Sequence, residues 1–309
     1  MQDVLVSIVC NTFNHEEYIE DAINGFLMQK TNFKYEILIH DDASTDKTVK
    51  IIKEYQSKFP DLINPIFQTE NQYSKKKQIS LEYQFPRAKG KYIALCEGDD
   101  YWTDENKLQK QFDVLESHPN ISMCAHSVSC VNARTKEFIR LIQPENESVI
   151  LPIDKVIKHG GGYIGTNSLF FKKEILEDFP RSLKPFFLDY TLQIFCAAQG
   201  GIYYINECMS AYRVLSKNSF TSKMKNNKQS IINHYKKDIK MLEIFNKETE
   251  NKYNESVIQA INRLDRWVLI NVPHYKFSDK KRLNKTFLSF SLKEKIKFII
   301  KLILCVNKD

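Results

Sequence analysis

Tyr92-Ile93-Ala94-Leu95-Cys96-Glu97-Gly98-Asp99-Asp100 sets a short apolar run directly before three carboxylates within four residues. The apolar half has the length of a strand buried on both faces, so the acidic half falls at its carboxyl end. Like charges at this spacing repel, and burying one without a partner costs about 3–5 kcal/mol. Solvent or a cation must therefore offset the charge. Carboxylate oxygens suit a hard divalent ion such as Mn2+ or Mg2+, and such ions ordinarily carry a substrate's phosphates.

The same pattern of apolar run followed by polar cluster occurs twice upstream. Val4-Leu5-Val6-Ser7-Ile8-Val9-Cys10 leads into Asn11-Thr12-Phe13-Asn14, and Tyr35-Glu36-Ile37-Leu38-Ile39-His40 leads into Asp41-Asp42-Ala43-Ser44-Thr45-Asp46. Helical spacing of Tyr18, Ile19, Ala22, Ile23, Phe26 and Leu27 predicts a helix between about His15 and Gln29. A second helix follows, capped by Ser44 or Asp46 and ending near Phe59. Strand–helix–strand–helix order argues for βαβ units and a parallel sheet, whose ligands sit outside the carboxyl ends of the strands. The three polar clusters are thus expected on one rim.

Beyond Asp104 the pattern predicts a helix ending near His118, then antiparallel strands over Met123–Val131 and Phe138–Ile142. A strand is expected at 166–171, a helix from Tyr190 to Gln199 stopped by Gly200-Gly201, and two last strands at 202–205 and 209–214. From Asn227 onward the periodicity is helical only. The last segment, 292–306, interleaves Lys293, Lys295, Lys297 and Lys301 with apolar residues. A basic amphipathic helix of this kind lies in a membrane interface, or docks on its own domain or on a second subunit of a homo-oligomer.

The chain has 309 residues, ordinary apolar content and a formal charge of +7, concentrated after Ser216. That charge suits anionic substrates, nucleic acid or a membrane surface without choosing among them. Seven cysteines, an odd number with no CxxC spacing, read as reduced core residues of a cytosolic protein. No signal peptide and no spanning segment is expected.

Taken in order, these motifs resemble glycosyltransferase family 2, the inverting nucleotide-sugar transferases of GT-A fold. The first loop, the D-D-x-S-x-D turn at Asp41 to Asp46, the D-x-D variant Glu97-Gly98-Asp99, and Asp189 in Leu188-Asp189-Tyr190 carry the resemblance. It covers roughly Leu5 to Phe220. Two positions depart from it: Asn11 where proline or a small residue is usual, and Leu215, two residues after Tyr212-Arg213, where many relatives have histidine. The resemblance implies an α/β fold of GT-A type with a Rossmann-like, mostly parallel sheet over residues 1–222, and a helical appendage over 223–309.

It also implies roles. Asp99 is expected to hold Mn2+ or Mg2+, with Glu97 at the ribose or the metal's water and Asp100 near the donor sugar. Asp42, with Asp41 as alternate, is expected to accept from the nucleotide, and Asn11, Thr12 and Asn14 to line its base. Asp189 is the expected general base, its bland alternative being a helix cap. Lysines 75–77 and Arg213 are secondary candidates for phosphate contact, and Tyr101 and Trp102 for a sugar platform or core packing. The implied partners are a nucleotide-sugar donor, UDP-sugar favoured, and a glycan or glycolipid acceptor of surface polysaccharide assembly, with no nucleic acid. The implied location is the cytoplasm, at the inner face of the membrane. A catalytically weak nucleotide-sugar-binding relative is the alternative. A nucleotidyltransferase would want a glycine-rich loop after the first strand, and a haloacid-dehalogenase-type phosphatase D-x-D-x-T; neither is present.

Overall fold

The strands expected from the apolar runs are β1 (Val4–Thr12), β2 (Lys34–Asp41), β3 (Ile63–Phe67) and β4 (Tyr92–Leu95). They are seen in a computed structural model that describes residues 3–214, 216, 227–272 and 280–306. All four run parallel in the order β3-β2-β1-β4. Helices α1 (Ile19–Leu27) and α2 (Thr48–Lys58) connect them. In register, Thr12 pairs with Asp41 and Val9 with Leu95, so the loops after β1, β2 and β4 emerge at one rim.

The second half widens the sheet. β5 (Tyr101–Trp102), α3 (Lys107–Ser117), β6 (Met123–Asn132), β7 (Phe138–Ile142), β8 (Val149–Leu151), α4 (Ile153–His159), β9 (Phe170–Lys172), α5 (Asp189–Gln199) and β10 (Ile202–Val214) follow. β9 lies antiparallel between β4 and β6, and β10 lies parallel to β6. β7 pairs antiparallel with β6, as expected, and β5 and β8 pair antiparallel with β10.

Three details differ from the sequence reading. Thr166–Ser168 is a 3-10 turn rather than the start of a strand. Ser168 Oγ donates to Gly165 O (2.7 Å), a local bond that competes with a ladder, and Asn167 Nδ2 donates across to Ala211 O (2.9 Å). The last two strands are one, β10, with register shifts at Ile205/Cys208 and Cys208/Ser210 that absorb the polar Asn206-Glu207 pair. Short β5, β8 and α4 carry too few residues to show a period.

One face of the sheet packs Val6, Ile8, Ile37 and Ile39 against Ile19, Ile23 and Phe26 of α1, Ile52 of α2 and Leu108 and Leu115 of α3. Each such side chain contributes about 1.5–3 kcal/mol when fully buried. Polar pins tie the segment before β4 to the sheet. Glu36 accepts from Ser7 Oγ (2.7 Å) and Lys89 N (2.7 Å), and Gly90 N donates to Ser7 Oγ (2.9 Å). Arg87 donates to Asn64 O (2.8 Å) and Ile39 O (3.1 Å). Five of the cysteines are buried and unpaired, whereas Cys208 is exposed.

Chain contacts group residues 1–156 and 161–219 into one unit, and 157–160 and 220–309 into another. Within the second, α6 (Lys228–Glu248) begins at Asn227, whose side chain accepts from Gln229 N and Ser230 N. Ile231, Leu242 and Phe245 of α6 are buried, as are Val257, Ala260, Leu264 and Val268 of α7 (Asn254–Asn271). Tyr235 OH donates to Asp265 Oδ1 (2.7 Å) within that core. α8 (Lys280–Leu288) and α9 (Leu292–Val306) complete the unit.

Gly90 is the tightest glycine in the approach to β4. A Cβ there would lie 2.5 Å from Ser7 N and 2.7 Å from Val6 C, both rigid backbone of β1. Gly90→Ala is expected to lower the free energy of unfolding by about 1–3 kcal/mol in urea titrations. An unchanged midpoint would contradict this packing.

Candidate active site

The acidic turn after β4 folds back onto the end of β1. Gly98 N donates to Asn11 O (2.9 Å), and Asp100 N to Glu97 O (3.0 Å). A Cβ on Gly98 would stand 2.7 Å from Thr12 Oγ1, so a larger residue would push the turn outward. Thr12 Oγ1 is itself buried, with no hydrogen-bond partner among the described residues.

The three carboxylates have separate environments. Asp100 is buried; its Oδ1 accepts from Arg213 N (2.9 Å) and its Oδ2 from Asn167 Nδ2 (3.2 Å). Burial, Asp99 and Glu97 push its carboxyl well above the usual range, and the Arg213 contacts only partly offset this. Asp99 is half-buried, and its Oδ2 accepts from Ser216 Oγ (2.5 Å). Glu97 is also half-buried, with Asn11 Nδ2 at 3.5 Å. Burial first, then Asp99 and, more weakly, Asp189, push Glu97 up to about 8.

Arg213 is not a phosphate contact in this arrangement, contrary to the sequence expectation. Its side chain is 1% exposed, donates from NH1 to Asp99 O (2.8 Å) and pairs through NH2 with Asp21. The guanidinium carbon lies 4.4 Å from the Tyr101 ring centroid and 5.2 Å from that of Tyr18. Arg213 thus fixes the main chain of the acidic turn without reaching the carboxylates of Glu97 or Asp99. Trp102 is core: it is buried, its Nε1 donates to Asn167 O (3.0 Å), and its ring meets Phe26 edge-on.

The first two loops are stitched together. Asn14 and Ala43 adopt left-handed φ of 56° and 65°. Asn14 N donates to Ser44 Oγ (2.8 Å), and Asn14 Oδ1 accepts from Thr45 N (2.8 Å). Asp46 Oδ1 accepts from Thr48 N (2.9 Å) at the start of α2, while Ser44 binds back to Asp41. Asp41 is buried, with its carboxylate on Ser44 N and Oγ. Asp42 Oδ1 accepts from Gln72 N (2.7 Å) and its Oδ2 from Tyr73 N (3.0 Å), fixing the turn at 71–74 beside the rim. Lys75 and Lys77 pair with Glu70 and Glu82 on the surface.

Asp189 is the first residue of α5, behind Leu188 at the N-cap position, so it is not the cap itself. Its Oδ2 accepts from Thr166 Oγ1 (2.5 Å) and its Oδ1 from Tyr190 N (2.7 Å). A Cβ on Gly161 would come 3.6 Å from Asp189 Oδ1, so glycine leaves that side open. Asp189, 92 residues away in sequence, adds weakly to the rise of the Glu97 carboxyl. Asn167, Ser216 and Thr166 support the carboxylates and had no signal in the sequence beyond polarity. Leu215 lies outside the described residues.

The donor chemistry fits a divalent cation. Among the described residues neither Glu97 nor Asp99 takes part in an ion pair. Nor do three or more His, Cys, Asp or Glu side chains converge as a complete cage. One or two carboxylates completed by substrate phosphates is the usual arrangement for Mg2+.

The raised Glu97 carboxyl has a consequence for stability. Between its ordinary range near 4.5 and about 8, the native state keeps a proton that the unfolded chain has lost. Unfolding free energy then falls as pH rises through that window. Buried Lys107, lowered to about 7 by desolvation, acts in the opposite direction above neutrality, so a variant is needed to isolate Glu97. With chelator present, Glu97→Gln is expected to lose stability less steeply than the wild type between pH 5 and 8 in urea titrations. Identical slopes would contradict the assigned environment.

Comparison with known proteins agrees with the geometry. The profile described as Glycosyl transferase family 2 matches residues 7–179. An uncharacterized protein of Mycobacterium tuberculosis is 37% identical over 216 residues, covering 67% of this chain and 58% of the relative's length. Poly(ribitol-phosphate) beta-N-acetylglucosaminyltransferase TarS of Staphylococcus aureus is 23% identical over 178 residues, covering 55% of this chain and 30% of its own. The crystal structure of TarS 1-349 with UDP-GlcNAc superposes with a TM-score of 0.54 at 17% identity, covering 86% of this chain and 84% of that one. A mannosyltransferase of Pyrobaculum calidifontis in complex with GDP-Man and Mn2+ gives 0.55 at 16% identity, covering 99% and 84%. These neighbours share the mixed α/β architecture of the GT-A fold. With residues 7–179 matched, the chain belongs to glycosyl transferase family 2.

Proposed function

We propose that this chain is an inverting, divalent-cation-assisted glycosyltransferase that moves a hexosyl or N-acetylhexosaminyl group from a nucleotide sugar to a hydroxyl of a glycan or glycolipid acceptor. The observation that carries the reading is the half-buried pair Glu97 and Asp99, set where the loops after β1, β2 and β4 emerge at one rim and in no ion pair among the described residues.

In this reading Asp99 holds Mn2+ or Mg2+, and Glu97 orders ribose hydroxyls or the ion's water. A bound divalent ion supplies Lewis-acid stabilisation of the diphosphate as it leaves. Asp42 has both oxygens on the 72–73 amides, but a carboxylate has about four acceptor positions, enough to take a base N–H as well. Asp41 supports it from beneath, through the Ser44 turn. Asn11, Thr12 and Asn14 line the nucleotide. Asp100 acts near the donor sugar by fixing the turn that carries Asp99.

Asp189 takes the proton from the acceptor hydroxyl as it attacks the anomeric carbon opposite the diphosphate. Direct displacement inverts configuration, so an α-linked donor yields a β-linked product. Thr166 and the Tyr190 amide hold the carboxylate's orientation for that transfer. UDP-sugar is the favoured donor, supported by the UDP-GlcNAc complex of TarS; the GDP-Man neighbour makes GDP-sugars the first competitor. Likeness to a poly(ribitol-phosphate) transferase supports a setting in surface polysaccharide assembly. Unpaired buried thiols support a reducing compartment, hence the cytoplasmic side of the membrane. We assign the chemistry to residues 1–222 and regard 223–309 as a separate helical region.

Donor hydrolysis and transfer, measured with UDP-, GDP- and dTDP-sugars with and without Mn2+, test the reading. Asp189→Asn is expected to bind donor normally and to lower transfer about 10²–10⁴-fold. Asp99→Asn is expected to lose the Mn2+ dependence together with activity. Wild-type activity surviving both substitutions would overturn the site. Donor binding without transfer or hydrolysis would favour a nucleotide-sugar-binding relative instead.

A further inference from the structure

Exposed apolar surface in the helical unit gathers on one edge of α9. Leu292 (75% exposed), Ile296 (50%), Ile299 (49%) and Ile300 (50%) recur at i, i+4, i+7 and i+8. At 3.6 residues per turn they share an arc of about 100°. This is not the packed side of the helix. Phe298 faces the unit's interior, its ring 5.5 Å from Phe287 and 6.1 Å from the buried Phe290. The helix also starts without help from the stripe. Ser291 and Glu294 form a reciprocal capping box, Ser291 N to Glu294 Oε2 at 2.8 Å and Glu294 N to Ser291 Oγ at 3.3 Å.

Charge identifies what covers the stripe. Residues 280–306 contain eight lysines and arginines and one acid, Glu294, which the capping box already engages. Lys293 and Lys295 fall at the two borders of the stripe by helical position, and Lys295 stays near the Phe287 ring at 5.9 Å. A second copy placed on this face would bring two strongly cationic segments together. Its own domain already holds the opposite side. The 15 residues of this helix cover about 22 Å, and no described helix is long and apolar enough to cross a membrane.

We propose that α9 lies in the interfacial plane of an anionic lipid bilayer, with Leu292, Ile296, Ile299 and Ile300 entering the acyl boundary and the lysines meeting headgroup phosphates. The inference stands apart from the sugar-transfer reading, because none of these residues belongs to the carboxylate site.

The test uses the full chain in co-sedimentation with vesicles of phosphatidylcholine alone or mixed with phosphatidylglycerol. Binding to the mixed vesicles is expected to be at least about 10-fold tighter than to phosphatidylcholine and to fall as salt rises. Leu292→Gln/Ile296→Gln/Ile299→Gln should abolish it, and Lys293→Glu/Lys295→Glu should weaken it about 10-fold or more. Both variants alter solvent-exposed or border positions, and unchanged far-UV circular dichroism checks that they fold. The proposal is overturned by absence of binding to the mixed vesicles, or by equal binding of the lysine variant. It is also overturned by a solution dimer that the glutamine variant splits and that does not bind vesicles.

Discussion

Electrostatic repulsion among Glu97, Asp99 and Asp100 is the constraint around which the catalytic unit is arranged. Arg213 relieves it only in part. Its guanidinium, held between Tyr18 and Tyr101, binds Asp99 O and Asp21, while its own amide satisfies Asp100. Among the described residues, Glu97 and Asp99 receive only neutral donors, Asn11 and Ser216 respectively. The protein thus holds the turn in place and, among the described residues, sets no cationic side chain in an ion pair with Glu97 or Asp99. A cation bound to a diphosphate would supply what the fold withholds.

Rigidity comes from the parallel core. The register that pairs Thr12 with Asp41 and Val9 with Leu95 brings three loops to one rim. Hydrogen bonds between Asn14, Ser44 and Thr45 then lock the first two loops together. Gly98 permits the third to lie against Thr12. Asp189, at the start of α5, is steadied by Thr166. A site preassembled in this way loses little on binding to ordering of its own side chains.

Much of this was legible in the sequence because buried parallel strands announce themselves as continuous apolar runs. The family resemblance and the α/β fold followed from the order of the acidic motifs along those runs. Asp42, Asp99 and Asp189 were named as candidates from the same source. Their partners were not, because long-range hydrogen bonds leave no periodic trace. Arg213 read as a phosphate ligand because its charge was visible and its burial between two tyrosines was not. Thr166–Ser168 read as strand because a 3-10 turn closed by side-chain bonds has the same composition. The single bulged β10 looked like two strands, since a polar pair inside a strand is indistinguishable by type from a turn.

Calorimetric titration of UDP into the chain, with and without Mn2+, addresses the central claim that the Glu97–Asp99 turn is a cation–diphosphate site. Mn2+ is expected to tighten UDP binding at least about 10-fold in the wild type, a difference of about 1.4 kcal/mol, and Asp99→Asn to remove the enhancement. Equal UDP affinity with and without Mn2+ in the wild type, or full enhancement in Asp99→Asn, would contradict it.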